Sequence, residues 1–135
     1  MNYFAQTKGL INAVDMKEYS QQQSEAQLSK IFDDLYDDLV NDIWETAQMN
    51  GRTEVYFTTK PMSCDTSKSL DSCIAVLEDF MNKGYVCIVT RKYVDCTRYY
   101  YKIYISWSGH PPNVHGYVTV DNKDKEKLVF SSYLK

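Results

Sequence analysis

Glycine, proline and histidine are scarce in this chain, with five, three and two copies in 135 residues. The glycines are scattered, so no glycine-rich loop is present to cradle a phosphate. No G-x-S-x-G elbow presents a serine on a sharp turn, and neither His110 nor His115 has an evident orienting acid. The four cysteines (Cys64, Cys73, Cys87 and Cys96) never form the close pair that zinc knuckles use to offer two thiolates from one turn. Cys73 and Cys87 suit a core as small apolar thiols, and Cys96 reads as a surface thiol near Arg91 and Arg98. An enzyme, a resident metal and an organic cofactor are therefore not expected.

Charge of one sign is also lacking. Fifteen Lys and Arg face eighteen Asp and Glu, a net charge of −3, so no global field draws nucleic acid or an anionic membrane. No apolar run approaches the length of a membrane span. A basic leader followed by an apolar core and a small-residue cleavage site is missing from the first twenty residues, so secretion is not expected and the thiols should be reduced. The expected location is the cytoplasm, or for a viral protein the host cytoplasm or the virion.

What is present is an ordinary globular balance, 44% hydrophobic and 24% charged, with twelve tyrosines gathered mostly in the second half. The stretch from Ser69 to Trp107 organises the rest. Leu70, Ile74, Leu77 and Met81 recur at helical spacing, and Gly84 supplies the left-handed residue that ends a helix. Beyond it, segments 85–91 and 97–107 are rich in β-branched and aromatic residues and predict an antiparallel hairpin with a turn near Val94-Asp95. Ser69 or Ser67 is the expected helix cap.

Upstream, Leu28, Ile31, Phe32, Leu35, Leu39, Ile43 and Ala47 predict one helix from Ser24, as N-cap, to about Met49, ended by Asn50-Gly51. Its other face carries Asp33, Asp34, Asp37, Asp38, Asp42 and Glu45. Clustered carboxylates suit hard cations or a basic partner, but no calcium-loop spacing accompanies them and a solvated acidic face is the preferred reading. Residues 53–59 alternate as a half-buried strand. Residues 1–23 read as an N-terminal element or arm, with Ser20 to Gln23 a polar connection. The breaker SGHPPN opens a C-terminal extension, 108–135. The expected fold is a single α+β domain in which two amphipathic helices pack on a small, mainly antiparallel sheet.

Two functional readings follow. On the second hairpin strand, Tyr99, Tyr101, Ile103, Ile105 and Trp107 share one face, and Tyr100, Lys102, Tyr104 and Ser106 share the other. The second face is either covered by the chain's own C-terminal part, which is favoured, or open to a partner. A protein-interaction surface would then use Tyr100, Lys102 and Tyr104, together with Tyr3 and Phe4 of the arm. The alternative is a winged-helix-like nucleic-acid binder, because LEDFMNKGYV followed by a hairpin resembles the end of a winged-helix domain. Arg91, Lys92 and Arg98 would be its contacts, although Asp71, Glu78 and Asp79 on the helix oppose phosphate binding.

The order helix, Asn50-Gly51, strand, helix, Gly84-Tyr85-Val86, then a strand closing on Ile105-Ser106-Trp107 resembles small proteins encoded by tailed phages and large DNA viruses. The matching positions are Ile43, Ala47, Gly51, Val55, Leu77 or Phe80, Gly84, Tyr85, Val86, Ile105 and Trp107, within residues 40–107; the tail after Trp107 departs from the pattern. The resemblance implies a non-enzymatic viral protein, a minor structural or assembly component. Its partners would be other viral structural proteins or its own copies.

Overall fold

A computed structural model describes residues 9–111 and 126–132. Among them the order is α1 (Ala13–Phe32), α2 (Leu35–Asn50), β1 (Glu54–Thr58), α3 (Thr66–Asn82), β2 (Val86–Tyr93), β3 (Tyr99–Ser106) and β4 (Glu126–Ser131). The strands form one antiparallel sheet in the order β1-β3-β2-β4. The α+β expectation holds, with one change: the first expected helix is two.

The break falls at Asp33 and Asp34. Asp33 caps α1, its N–H donating to the Ser29 carbonyl at 2.9 Å and its carboxylate accepting from the Ser29 hydroxyl at 2.9 Å. Adjacent aspartates are weak helix formers because they compete for backbone hydrogen bonds. The bend lets Phe32 and Leu35, on either side of it, both bury in the core. Ser24 is not a cap. The helix starts eleven residues earlier at Ala13, where the Asn12 side chain accepts from the Asp15 N–H at 2.9 Å, so the expected connection at Ser20 to Gln23 is helical too.

Helix α3 is capped by Asp65, which accepts from the N–H groups of Ser67 and Lys68 at 2.9 and 3.2 Å. The expected caps Ser67 and Ser69 lie inside the helix, and Ser69 is buried. At the other end Gly84 takes φ +94°. The Tyr85 N–H reaches back to the Phe80 carbonyl at 3.0 Å and the Gly84 N–H to that of Met81 at 3.1 Å, the paired bonds of a Schellman stop. The Tyr85 ring packs edge-on to Phe80, 6.0 Å between centroids, which seals the stop and aims the chain into β2.

Alternation then divides the sheet. Leu35, Leu39, Cys73, Leu77 and Phe80 from the helices meet Cys87, Val89, Tyr99, Tyr101, Ile103 and Ile105 from the sheet in one core. Burial of each large apolar side chain contributes about 1.5–3 kcal/mol relative to exposure. β4 pairs with β2 through a bulge: Val89 faces Phe130 and Thr90 faces Leu128, leaving Val129 as the extra residue. Val129 and Phe130 both pack against the core, the re-aiming that a bulge permits.

Candidate functional site

The sheet face turned away from the helices is expected to be aromatic, and it is, with its centre closed to solvent while Tyr56 at its edge is 52% exposed. Tyr104 is 2% exposed, and Ile88, Thr90 and Ser106 on the same face are buried with it. Tyr104 therefore leaves the list of exposed contact residues. Its ring lies edge-on to Tyr56 of β1 at 5.1 Å and its hydroxyl points to Glu126 of β4 at 3.5 Å. Glu126 is itself 4% exposed. It accepts from the Thr90 hydroxyl at 3.0 Å and has the Lys102 ammonium 3.6 Å from its second oxygen. Tyr100 is half-buried. Tyr3 and Phe4 lie outside the described residues, as does most of the expected C-terminal extension.

The three hairpin bases do not share a surface. Arg98 sits in the turn, where its guanidinium binds Asp95 at 3.0 Å. The Asp95 carboxylate also accepts from the backbone N–H groups of Thr97 and Arg98 at 2.9 and 2.8 Å. Those bonds, with the Arg98 side chain, hold it well below the usual carboxylate range. Lys92 lies on the outer face in register with Glu126, whereas Arg91 lies on the helix face in register with Tyr101.

Nor do the helices offer a groove reader. A helix-turn-helix places the second of two successive helices against DNA. Among the described residues α1 and α2 are the only helices in direct succession, and α2 carries Asp37, Asp38, Asp42 and Glu45 without a single Lys or Arg. On α3, Asp79 is engaged by Lys83 and by the Tyr36 hydroxyl, each at 2.6 Å.

A buried polar knot joins the start of α3 to β3. Ser69 Oγ lies 2.6 Å from the Tyr99 hydroxyl and 2.7 Å from that of Tyr101. The Tyr99 hydroxyl donates to the Cys64 carbonyl at 2.7 Å. Burial pushes Tyr99 up to about 12 and raises Tyr101 as well. A serine wholly out of solvent between two protonated phenols has no base and no access to substrate, so the knot fixes the helix on the sheet. Sequence reading took Ser69 for a cap and missed this. The signal was a serine at a core position of α3, four residues before Cys73.

Three of the four thiols are buried. Burial pushes Cys73 and Cys87 up to about 12, far from the thiolate form that reacts. Cys64 is buried against the Gln27 side chain with Sγ 2.7 Å from its oxygen, and Cys96 is exposed. No group of three or more His, Cys, Asp or Glu could hold a metal among the described residues; His110 is exposed and His115 lies outside them. The acidic face of α2 is solvated, except that partial burial and the nearby Glu45 and Asp38 raise Asp42. A hollow of about 470 Å³ between the end of α2 and β1, lined by Gly51, Arg52, Thr53, Glu54 and Tyr56 among others, gathers no catalytic set.

The feature that stands out is α1. Every residue from Asn12 to Gln23 is exposed, whichever side of the helix it occupies. Val14, Met16 and Tyr19 are among them, and Leu10, just before the helix, is 97% exposed. Only the second half, through Leu28, Ile31 and Phe32, joins the core. On α2 the indole of Trp44 is also 63% exposed.

No family model, curated protein or solved structure matches the chain. No helix among the described residues is long and apolar enough to cross a membrane.

Proposed function

We propose that this chain is a non-enzymatic protein–protein interaction module that docks through the first half of α1. The observation that carries the reading is that every residue from Asn12 to Gln23 is exposed, the apolar Val14 and Met16 among them and Leu10 just before. A helical segment with so little of its surface buried draws little stability from packing, and one this short is marginal on its own in water. A partner that buries Leu10, Val14 and Met16 supplies further stabilisation. The resemblance over residues 40–107 supports placing the module in a virus, as a minor structural or assembly component. Its own copies or other viral structural proteins are then the partners. The winged-helix alternative has little support, because Arg91, Lys92 and Arg98 are dispersed and α2 is acidic.

The test is amide hydrogen exchange over residues 13–23, with the chain alone across a concentration series and mixed with the structural proteins encoded alongside it. Protection confined to that segment, appearing with self-association or with one partner, is the expected result. Rapid exchange in every mixture, with a chain that sediments as a monomer throughout, removes the reading.

A further inference from the structure

A hollow of about 170 Å³ lies between the edge strand β1 and the bend that joins α1 to α2. Its walls carry two cations and two anions: Lys30 of α1, Asp34 and Asp38 at the start of α2, and Lys60 just after β1. Ion pairs among the described residues join Lys83 to Asp79, Arg98 to Asp95 and Lys102 to Glu126. Lys30, Asp34, Asp38 and Lys60 take part in none of them. Asp34 stands at the N-cap position of α2, yet its carboxylate makes no capping bond. Between these charges lie apolar groups, the buried Leu35 and the half-buried Ile31 and Phe57.

Two polar groups of the strand border the same hollow without a full set of partners. Thr59 is 6% exposed, and its Oγ1 accepts from the Tyr101 N–H at 3.0 Å. Its hydroxyl proton has no acceptor among the described residues, a costly state for a buried donor. Thr58 pairs in register with Lys102, while the Thr59 N–H donates to the Tyr101 carbonyl at 2.9 Å. Bonded and non-bonded pairs alternate along an antiparallel ladder, so the N–H and C=O of Thr58 turn away from β3. At this edge of the described sheet they face outward, beside the hollow that Thr58 helps to line.

The balance of charge decides what fits. A simple anion would sit against Asp34 and Asp38, and a simple cation against two ammonium groups, so each meets repulsion. A zwitterion meets an opposite charge at both ends. The volume is well under the roughly 300 Å³ at which drug-sized pockets begin, so the ligand is one small molecule. We propose that the hollow binds a free α-amino acid with an aliphatic side chain. Its carboxylate accepts from the Thr58 N–H and the Thr59 hydroxyl, with the Lys60 ammonium beside it. Its ammonium lies against Asp34 and Asp38, and its side chain covers Ile31, Leu35 and Phe57. The site does not rest on docking through the first half of α1.

The test follows the backbone amide of Thr58 by NMR while L-leucine is added at constant ionic strength. Isoamylamine, which lacks the carboxylate, and isocaproate, which lacks the ammonium, are titrated in parallel. The expected result is a saturable shift with leucine and binding at least several-fold weaker for either half-ligand. Asp38→Asn and Lys60→Gln should each weaken leucine several-fold. Both positions are exposed, so these variants should keep the fold, and spectra otherwise matching the parent confirm it. The proposal fails if leucine produces no saturable shift, if either half-ligand binds as well, or if both variants bind leucine as the parent does.

Discussion

Glu126 of β4 accepts a 3.0 Å hydrogen bond from the hydroxyl of Thr90 on β2, with both side chains shut off from solvent. The Lys102 ammonium lies 3.6 Å from its other oxygen. A buried carboxylate is tolerated only with such partners. Removing it in Glu126→Ala should cost about 2 kcal/mol, since Lys102 is partly exposed and can turn to water. Glu126→Gln keeps an acceptor for Thr90 and should cost about half as much. Urea unfolding distinguishes the two, and equal losses would show that the charge, not the acceptor for Thr90, carries the stabilisation there.

The knot around Ser69 makes a ranked prediction. Ser69→Ala leaves the Tyr99 hydroxyl with the Cys64 carbonyl and that of Tyr101 with the Thr66 carbonyl, so the loss should be about 1 kcal/mol. Tyr99→Phe strands the Cys64 carbonyl and leaves Ser69 with only the Tyr101 hydroxyl and the Thr66 carbonyl, and should cost more, about 2 kcal/mol. The reverse order in chemical denaturation would mean that Ser69 does more than bridge the phenols.

Substitution of Val14, Met16 and Tyr19 by serine should leave global stability within about 0.5 kcal/mol, as expected for exposed positions. The same triple variant should lose protection of residues 13–23 in the presence of a partner. A large drop in the urea midpoint would instead place those side chains against the body of the molecule.

In alkali the folded protein should weaken. Cys73 and Cys87 are raised from 9.0 to about 12 and Tyr99 from 10.0 to about 12, in each case chiefly by burial. Over that interval the unfolded chain has released protons that the folded chain retains. Stability from these groups is therefore complete below about pH 9 and declines as pH rises toward 12. Urea midpoints measured across the interval should fall steadily. A flat profile would contradict the burial of all three.

Much of the architecture was legible in local patterns. Gly84-Tyr85-Val86 announced the helix stop because only a residue without a Cβ accepts that turn easily, and strict alternation from Tyr99 to Trp107 separated the two sheet faces. The break at Asp33-Asp34 was hidden because Phe32 and Leu35 keep helical spacing across it. Asp65 was overlooked as a cap because serines lie just after it. The burial of Tyr104 and the pairing of Arg91 with Lys127 across the sheet were out of reach. Both depend on where β4 pairs, and that is set by contacts between residues far apart in the chain. The exposure of α1 was invisible for a related reason: Val14, Met16 and Tyr19 look like core residues until the core is seen to lie elsewhere.

The strand order has a kinetic consequence. Thr90 and Glu126 are 36 positions apart, whereas β2 and β3 are joined by a tight turn. The hairpin can thus close quickly, and the last strand must arrive by a slower, long-range search. Until it does, the outer edge of β2 presents bare amides and carbonyls beside Ile88 and Val89, a template for pairing with a neighbouring chain. The same row of bonds that completes the monomer is, for that interval, the place where two nascent molecules would most readily stick together.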